Sequence, residues 1–142
     1  ERLLGELSRL TTILEATSDL VSMATPDARI IYMNRAGRKM VGWQDDEDIA
    51  VRKVSDIHPE WSLRIIEREG IPAALEHGVW EGETALLGGD DREIPVSQVI
   101  MSHKSPDGEP EHISTIIRDI AERKRYEEAL SKQRDQLEEM NQ

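Results

Sequence analysis

The sequence predicts an α+β domain, a five-stranded antiparallel sheet with short helices on one face and an amphipathic helix at each end. Three observations support this fold class. Leucines near the N-terminus recur at helical spacing, five short segments rich in β-branched residues are separated by turn-forming residues, and the chain becomes densely charged after residue 119. A length of 142 residues favours one domain with flanking segments.

The N-terminal segment predicts an amphipathic helix. Leu3, Leu7, Leu10 and Leu14 follow one another at spacings of four, three and four residues, which places them along one helix face. Such an apolar face needs a partner. The sheet of this chain or the same surface of a second copy could provide it.

The next segment predicts a β-hairpin followed by helices. Two β-rich runs flank the turn residues 25–28, and Asn34 is placed to cap a short helix that ends at Gly42. Residues 44–78 are irregular at first and then helical, with Pro59 and Pro72 as the expected helix boundaries.

From Val79 onward the pattern predicts three strands in a meander, separated by turns in GGDDRE and KSPDGEPE. In the last strand Ile113 and Ile117 share one face, while Ile116 lies on the other among polar residues. Neither face is fully polar, so a second cover for the sheet is expected.

Composition excludes several classes of function. The net charge of −11 repels phosphate backbones and anionic lipid headgroups, so neither nucleic acid nor a membrane surface is an expected partner. The absence of cysteine excludes disulfides, thiolate metal sites and cofactors bound through a thiol, and it is compatible with a cytoplasmic location. The four histidines lack metal-ligand spacing, and no catalytic set of residues stands out, so the segment is not expected to be an enzyme.

The last predicted strand continues directly into a charged helix. Asp119 stands at the helix start, where a carboxylate can cap amide groups, and Leu130 and Leu137 are seven residues apart. Because no turn intervenes, a shift of the strand must tilt or rotate the helix, so Asp119, Ile120 and Glu122 are expected to relay a signal. The chain starts with Glu1 and stops within a helical pattern, which indicates a piece of a longer polypeptide.

Three stretches in this order resemble the PAS domain, the sensory and dimerisation module of bacterial signalling proteins. They are ILEATSDLVSMATPDARIIYMNRAGRKMVGW at 13–43, GVWEGETALLGGDDREIPVSQVIMS at 78–102 and GEPEHISTIIRDIAERK at 108–124. The likeness covers residues 11–124, between an N-terminal helical linker at 1–10 and a C-terminal signalling or coiled-coil helix at 125–142. One departure is Ala121, where the family usually has Thr.

The resemblance implies a cavity for a small ligand or cofactor, a C-terminal relay helix, and an output domain in the same parent chain, as in two-component systems. It also implies a homodimer, formed through the leucine positions 3, 7, 10 and 14 together with Leu130 and Leu137. The residues expected to line the cavity are Ile31, Met33, Trp61, Ile65, Val96 and Ile100.

The occupant of this cavity stays open between several alternatives. No cofactor, or a small apolar ligand, is favoured. The resemblance also allows a noncovalent flavin stacked on Trp61 or Trp80, and haem bound by His58 in the segment DIHPEW. The alternative function is a ligand-free PAS module that only dimerises or recruits a partner protein.

Overall fold

A computed structural model of the protein describes residues 2–46 and 48–141. Five α-helices and five strands are joined by short turns. The helices are α1 Arg2–Ala16, α2 Arg35–Val41, α3 Glu60–Ile65, α4 Ile71–His77 and α5 Ala121–Met140. The strands are β1 Leu20–Ala24, β2 Ile30–Met33, β3 Val79–Leu87, β4 Glu93–Lys104 and β5 Pro110–Asp119. Two 3₁₀ turns, Ile49–Val51 and Val54–Ile57, precede α3.

The strands form one antiparallel sheet in the order β2-β1-β5-β4-β3, which confirms the predicted fold class. The last strand in sequence is therefore the central strand of the sheet. It pairs with β1 on one side, where Ile117 faces Leu20, and with β4 on the other, where Ile116 faces Val99. A displacement of β5 consequently affects hydrogen bonds on both of its edges.

The core lies on one face of this sheet and contains two clusters of buried side chains. The larger one, here called the packed cluster, consists of Leu20, Ile30, Met33, Val41, Ile57, Leu86, Val96 and Ile117. The smaller one, here called the cavity cluster, consists of Ile66, Ala74, Ile100 and Ile113.

Both predicted caps of α2 are confirmed. The Asn34 side chain accepts a hydrogen bond from the Gly37 amide at the helix start, and Gly42 ends the helix with φ of +79°. A Cβ on Gly42 would come within 2.4 Å of the Gly89 Cα, so the two glycines let this helix end approach the β3–β4 turn.

The predicted helix boundary at Pro72 is wrong, whereas Pro59 does precede α3. The helical path continues from Glu60 to His77, because a π-helical turn at Ile66–Gly70 joins α3 to α4. Pro72 directly follows the π-helical turn, where the Ile71 amide donates to the Ile66 carbonyl, and its missing amide hydrogen interrupts the regular hydrogen-bond pattern of an α-helix at this point.

The flanking helices project from the packed body. Leu3, Leu7 and Leu10 of α1 are each more than half exposed, so the leucine face does not pack against the sheet of this chain. No side chain of α5 is buried. Across residues 2–46 and 48–141, no helix has the length and apolarity that crossing a membrane requires.

Candidate functional site

A cavity lies between the inner face of the sheet and the helical segment 54–71. Its volume is about 30 Å³, enough for roughly two water molecules. Its apolar wall consists of Ala24, Ile30, Val54, Ile57, Ile66, Ile71, Ile100 and Ile113. Its polar wall consists of Ser22, His58, Gln98 and Thr115.

His58 is the titratable group of this wall, and it is only 4% exposed. Its Nδ1 lies 2.9 Å from the carbonyl oxygen of Ala85. Because a carbonyl only accepts, Nδ1 must bear the proton and Nε2 the lone pair. Burial lowers the pKa of His58 to about 4, so the ring is neutral at pH 7. Among the described residues Nε2 has no hydrogen-bond partner.

Gln98 belongs to a hydrogen-bond chain that crosses three strands. Thr84 Oγ1 on β3 donates to Gln98 Oε1 at 2.7 Å, and Gln98 Nε2 donates to Thr115 Oγ1 on β5 at 3.2 Å. Thr115 Oγ1 in turn donates to the Val99 carbonyl at 2.8 Å. The chain therefore links one wall of the cavity to β3 and to β5.

The structure places one of the six expected lining residues, Ile100, at the cavity. Met33 and Val96 are buried in the packed cluster instead. Ile31 is 44% exposed and Trp61 is 42% exposed, with its Nε1 donating to Glu93 Oε1 at 2.8 Å. Ile65 is partly buried and does not border the cavity.

Two of these differences are errors of one residue. Ile30 lines the cavity where Ile31 was expected, and Ile66 lines it where Ile65 was expected. In a strand a shift of one position moves a side chain to the opposite face. The polar lining was missed, although a signal for Gln98 existed: it lies between Val96 and Ile100, two positions from each, and so shares their face.

The second part of the site is the junction between β5 and α5. Only Ile120 separates the two elements, and its side chain is buried. Its amide donates to the Pro95 carbonyl at 2.9 Å, while Asp119 Oδ1 accepts from the Ala121 amide at 2.8 Å. The strand therefore continues into the helix without a flexible linker.

An ionic contact not expected from the sequence holds the first turn of α5 against β3. Glu83 receives Lys124 Nζ at 2.6 Å and Arg123 at 2.8 Å. The hydrogen bond from Lys124, with the nearby positive charges, holds the pKa of Glu83 below its ordinary value. The predicted relay residue Glu122 is exposed, and its side chain makes no ion pair or hydrogen bond with the described part of the chain.

Haem and flavin do not fit this cavity. Cofactor sites typically enclose 300–1,000 Å³, roughly ten times or more the volume present here. Neither Trp61 nor Trp80 borders the cavity, although Trp80 packs against the cavity cluster. Within residues 2–46 and 48–141, no group of three or more histidine, aspartate or glutamate side chains could hold a metal ion.

The fold and the junction define a five-stranded α+β domain with an outgoing helix, and comparison with known families agrees. A family model described as the PAS fold matches residues 14–125. The chain belongs to this family. A comparison with curated protein sequences finds no significant match.

Solved structures show the same fold at low sequence identity. The PAS domain of a protein from Colwellia psychrerythraea is 20% identical, with a TM-score of 0.74 over 82% of this chain and 98% of that one. A sensory box histidine kinase/response regulator from Burkholderia thailandensis is 22% identical, with a TM-score of 0.68 over 92% of this chain and 98% of that one.

Proposed function

We propose that this chain is the sensory module of a larger signal-transduction protein. A small ligand binds in the cavity, and the change is relayed through α5 to an output domain in the same parent chain. The observation that supports this most is that β5 contributes to both sites. Ile113 and Thr115 of β5 line the cavity, and the same strand continues through Ile120 into α5.

In this proposal, two connections link the domain to α5. The first is the covalent path along β5, fixed at its end by the hydrogen bond from Ile120 to Pro95. The second is Glu83 on β3, which binds Arg123 and Lys124, and the adjacent Thr84 belongs to the Gln98 chain. A ligand that moves Gln98 therefore acts on both attachments of the helix.

The proposal includes a homodimer formed by the exposed apolar faces of the flanking helices. Leu3, Leu7, Leu10, Leu130 and Leu137 are each at least 46% exposed. A helix with such a face is stabilised by packing against a partner helix. A second copy presents matching faces at both ends, and the resulting helix pair would transmit the movement in a cytoplasmic signalling protein.

The ligand step is tested on the whole chain. Mass spectrometry of a denatured extract of the purified protein identifies co-purified molecules, and a metabolite screen followed by hydrogen exchange measures the response of α5. We expect a bound molecule to slow exchange in the cavity strands and to change exchange at 120–126. A cavity ligand without any effect on α5 would contradict the relay.

The rival function, a ligand-free dimerisation scaffold, is favoured by one observation, the small size of the cavity. Light scattering separates the dimer question from the ligand question. Leu10→Glu is expected to produce a monomer, whereas Thr12→Glu, with the same change in charge on the opposite side of α1, should not. If the unmodified chain is a monomer at high concentration, the proposed dimer is wrong. If the chain dimerises but no metabolite changes its exchange, the scaffold is the better description.

A further inference from the structure

We infer that the cavity takes a small uncharged alcohol, whose hydroxyl group donates to Nε2 of His58 and accepts from the amide of Gln98. This inference rests on the proposed ligand-sensing function and specifies the chemistry of its ligand.

A ligand that hydrogen-bonds to His58 must carry a hydrogen-bond donor. Its Nδ1–H is committed to the Ala85 carbonyl, so the ring is held in one tautomer with an acceptor at Nε2. The ring is nine-tenths buried and borders the cavity, yet Nε2 is unpaired within the described chain. Nε2 is not one of the fully buried atoms, so a water-sized molecule can reach it, and a ligand that displaces water must offer a donor in its place.

A ligand that hydrogen-bonds to Gln98 must carry a hydrogen-bond acceptor. The hydroxyl hydrogen of Thr115 is donated to the Val99 carbonyl, so Thr115 can only accept from Gln98. This fixes the amide with its nitrogen toward β5 and its oxygen toward Thr84. Nε2 has two hydrogens and uses one of them within the described residues, so the second is available to a ligand.

The residues that line the cavity limit the charge of the ligand, and the cavity volume limits its size. Among the residues that the structure describes, no Asp, Glu, Lys or Arg lines the cavity, so a charged ligand would be buried without a counter-charge, at a large cost. The volume of about 30 Å³ restricts the ligand to about two heavy atoms, and the eight apolar lining residues favour a methyl-sized apolar part. A hydroxyl group is both donor and acceptor, and so it matches His58 and Gln98 together.

The test compares methanol with fluoromethane, which have two heavy atoms each and match the cavity volume, but of which only methanol has a hydroxyl donor. Methyl resonances of Ile100 and Ile113 report binding to the full chain in NMR titrations, and those of Leu20 in the packed cluster report nonspecific effects. We expect saturable shifts at the two isoleucines and about tenfold weaker binding of fluoromethane, because fluoromethane has no donor for Nε2.

His58→Asn is the matched variant. The asparagine amide can replace Nδ1–H as donor to Ala85 but lacks an acceptor at the position of Nε2, so the preference for methanol over fluoromethane should be lost. Unchanged Leu20 shifts would show that the variant is folded.

The outcomes separate this inference from the proposed function. Equal shifts with methanol and fluoromethane, or a preference that survives in His58→Asn, would overturn the inference. If the screen instead yields a cavity ligand without a hydroxyl donor, the alcohol is wrong while ligand sensing stands. Selective binding of methanol with no change in exchange at α5 would support the alcohol site and contradict the relay.

Discussion

The packed cluster and the cavity cluster lie on the same face of one sheet, but the buried polar side chains beside them differ in how many of their hydrogen-bonding positions are used. Next to the packed cluster, buried Asn34 makes four hydrogen bonds, accepting from the amides of Val21 and Gly37 and donating to the carbonyls of Leu14 and Asp19. At the cavity, His58 and Gln98 each keep a polar position unused within the described residues. The polar group beside the packed cluster therefore stabilises the fold, whereas the polar groups at the cavity retain hydrogen-bonding positions that a ligand could use.

The largest effect should come from deleting side-chain volume in the packed cluster. We expect Leu20→Ala to lower the free energy of unfolding by about 4 kcal/mol and Ile113→Ala by about 2 kcal/mol, because Ile113 already borders empty space and loses fewer contacts. Urea denaturation of both variants measures the difference. Equal losses would show that the two halves of the core are packed alike.

The pH dependence of stability should be dominated by the cavity end. His58 has a pKa of about 4 in the folded protein against an ordinary histidine value of 6.5, so the unfolded chain binds the proton more readily between these values. Stability is therefore complete above pH 6.5 and falls as the pH drops toward 4, by on the order of 3 kcal/mol. Denaturation at pH 7 and pH 4 measures this loss.

His58→Asn provides the control, because asparagine does not titrate in this range. The variant should lose less stability than the unmodified protein between pH 7 and pH 4. An identical pH profile in both proteins would mean that His58 is not held neutral by burial.

Asn34→Ala should cost about 2 kcal/mol, because two amides and two carbonyls lose a buried partner at once. Asn34→Asp is the informative companion, since it keeps the acceptor for Val21 and Gly37 but replaces the donor to Leu14 and Asp19. Denaturation should rank Asn34→Asp as destabilised too. If the aspartate variant were as stable as the unmodified protein, the two donated bonds would contribute nothing.

The smallest effect on stability is expected for Glu83→Gln, because the ion pairs with Arg123 and Lys124 are about half exposed to solvent. The melting temperature should hardly change, while amide exchange in the first turn of α5 becomes faster. Glu81→Gln, on the same side of β3 but without an ion pair in the described structure, is the control. Unchanged exchange in Glu83→Gln would show that β3 does not hold the helix.

The sequence was most informative where a local signal determines the structure. The turn at 25–28, Asn34 with Gly42, and the alternating pattern of β5 were sufficient to predict the hairpin, α2 and the last strand. The lining of the cavity was harder to predict, because it depends on which side of β2 and of the helical segment around Ile65 and Ile66 faces inward. A shift of one residue reverses the face in a strand and turns it by about 100° in a helix. The π turn before Pro72 and the approach of Glu83 to α5 depend on tertiary packing, which no local pattern encodes.

Because only Ile120 separates β5 from α5, the length of the helix determines how far its end moves when its base tilts. Helix α5 has 20 residues and is therefore about 30 Å long. Its base is the end of the central strand β5, so a tilt of about 10° at that base displaces Met140 by roughly 5 Å. In the proposed relay, a small rearrangement around the cavity would therefore move the far end of α5 by about one helical turn.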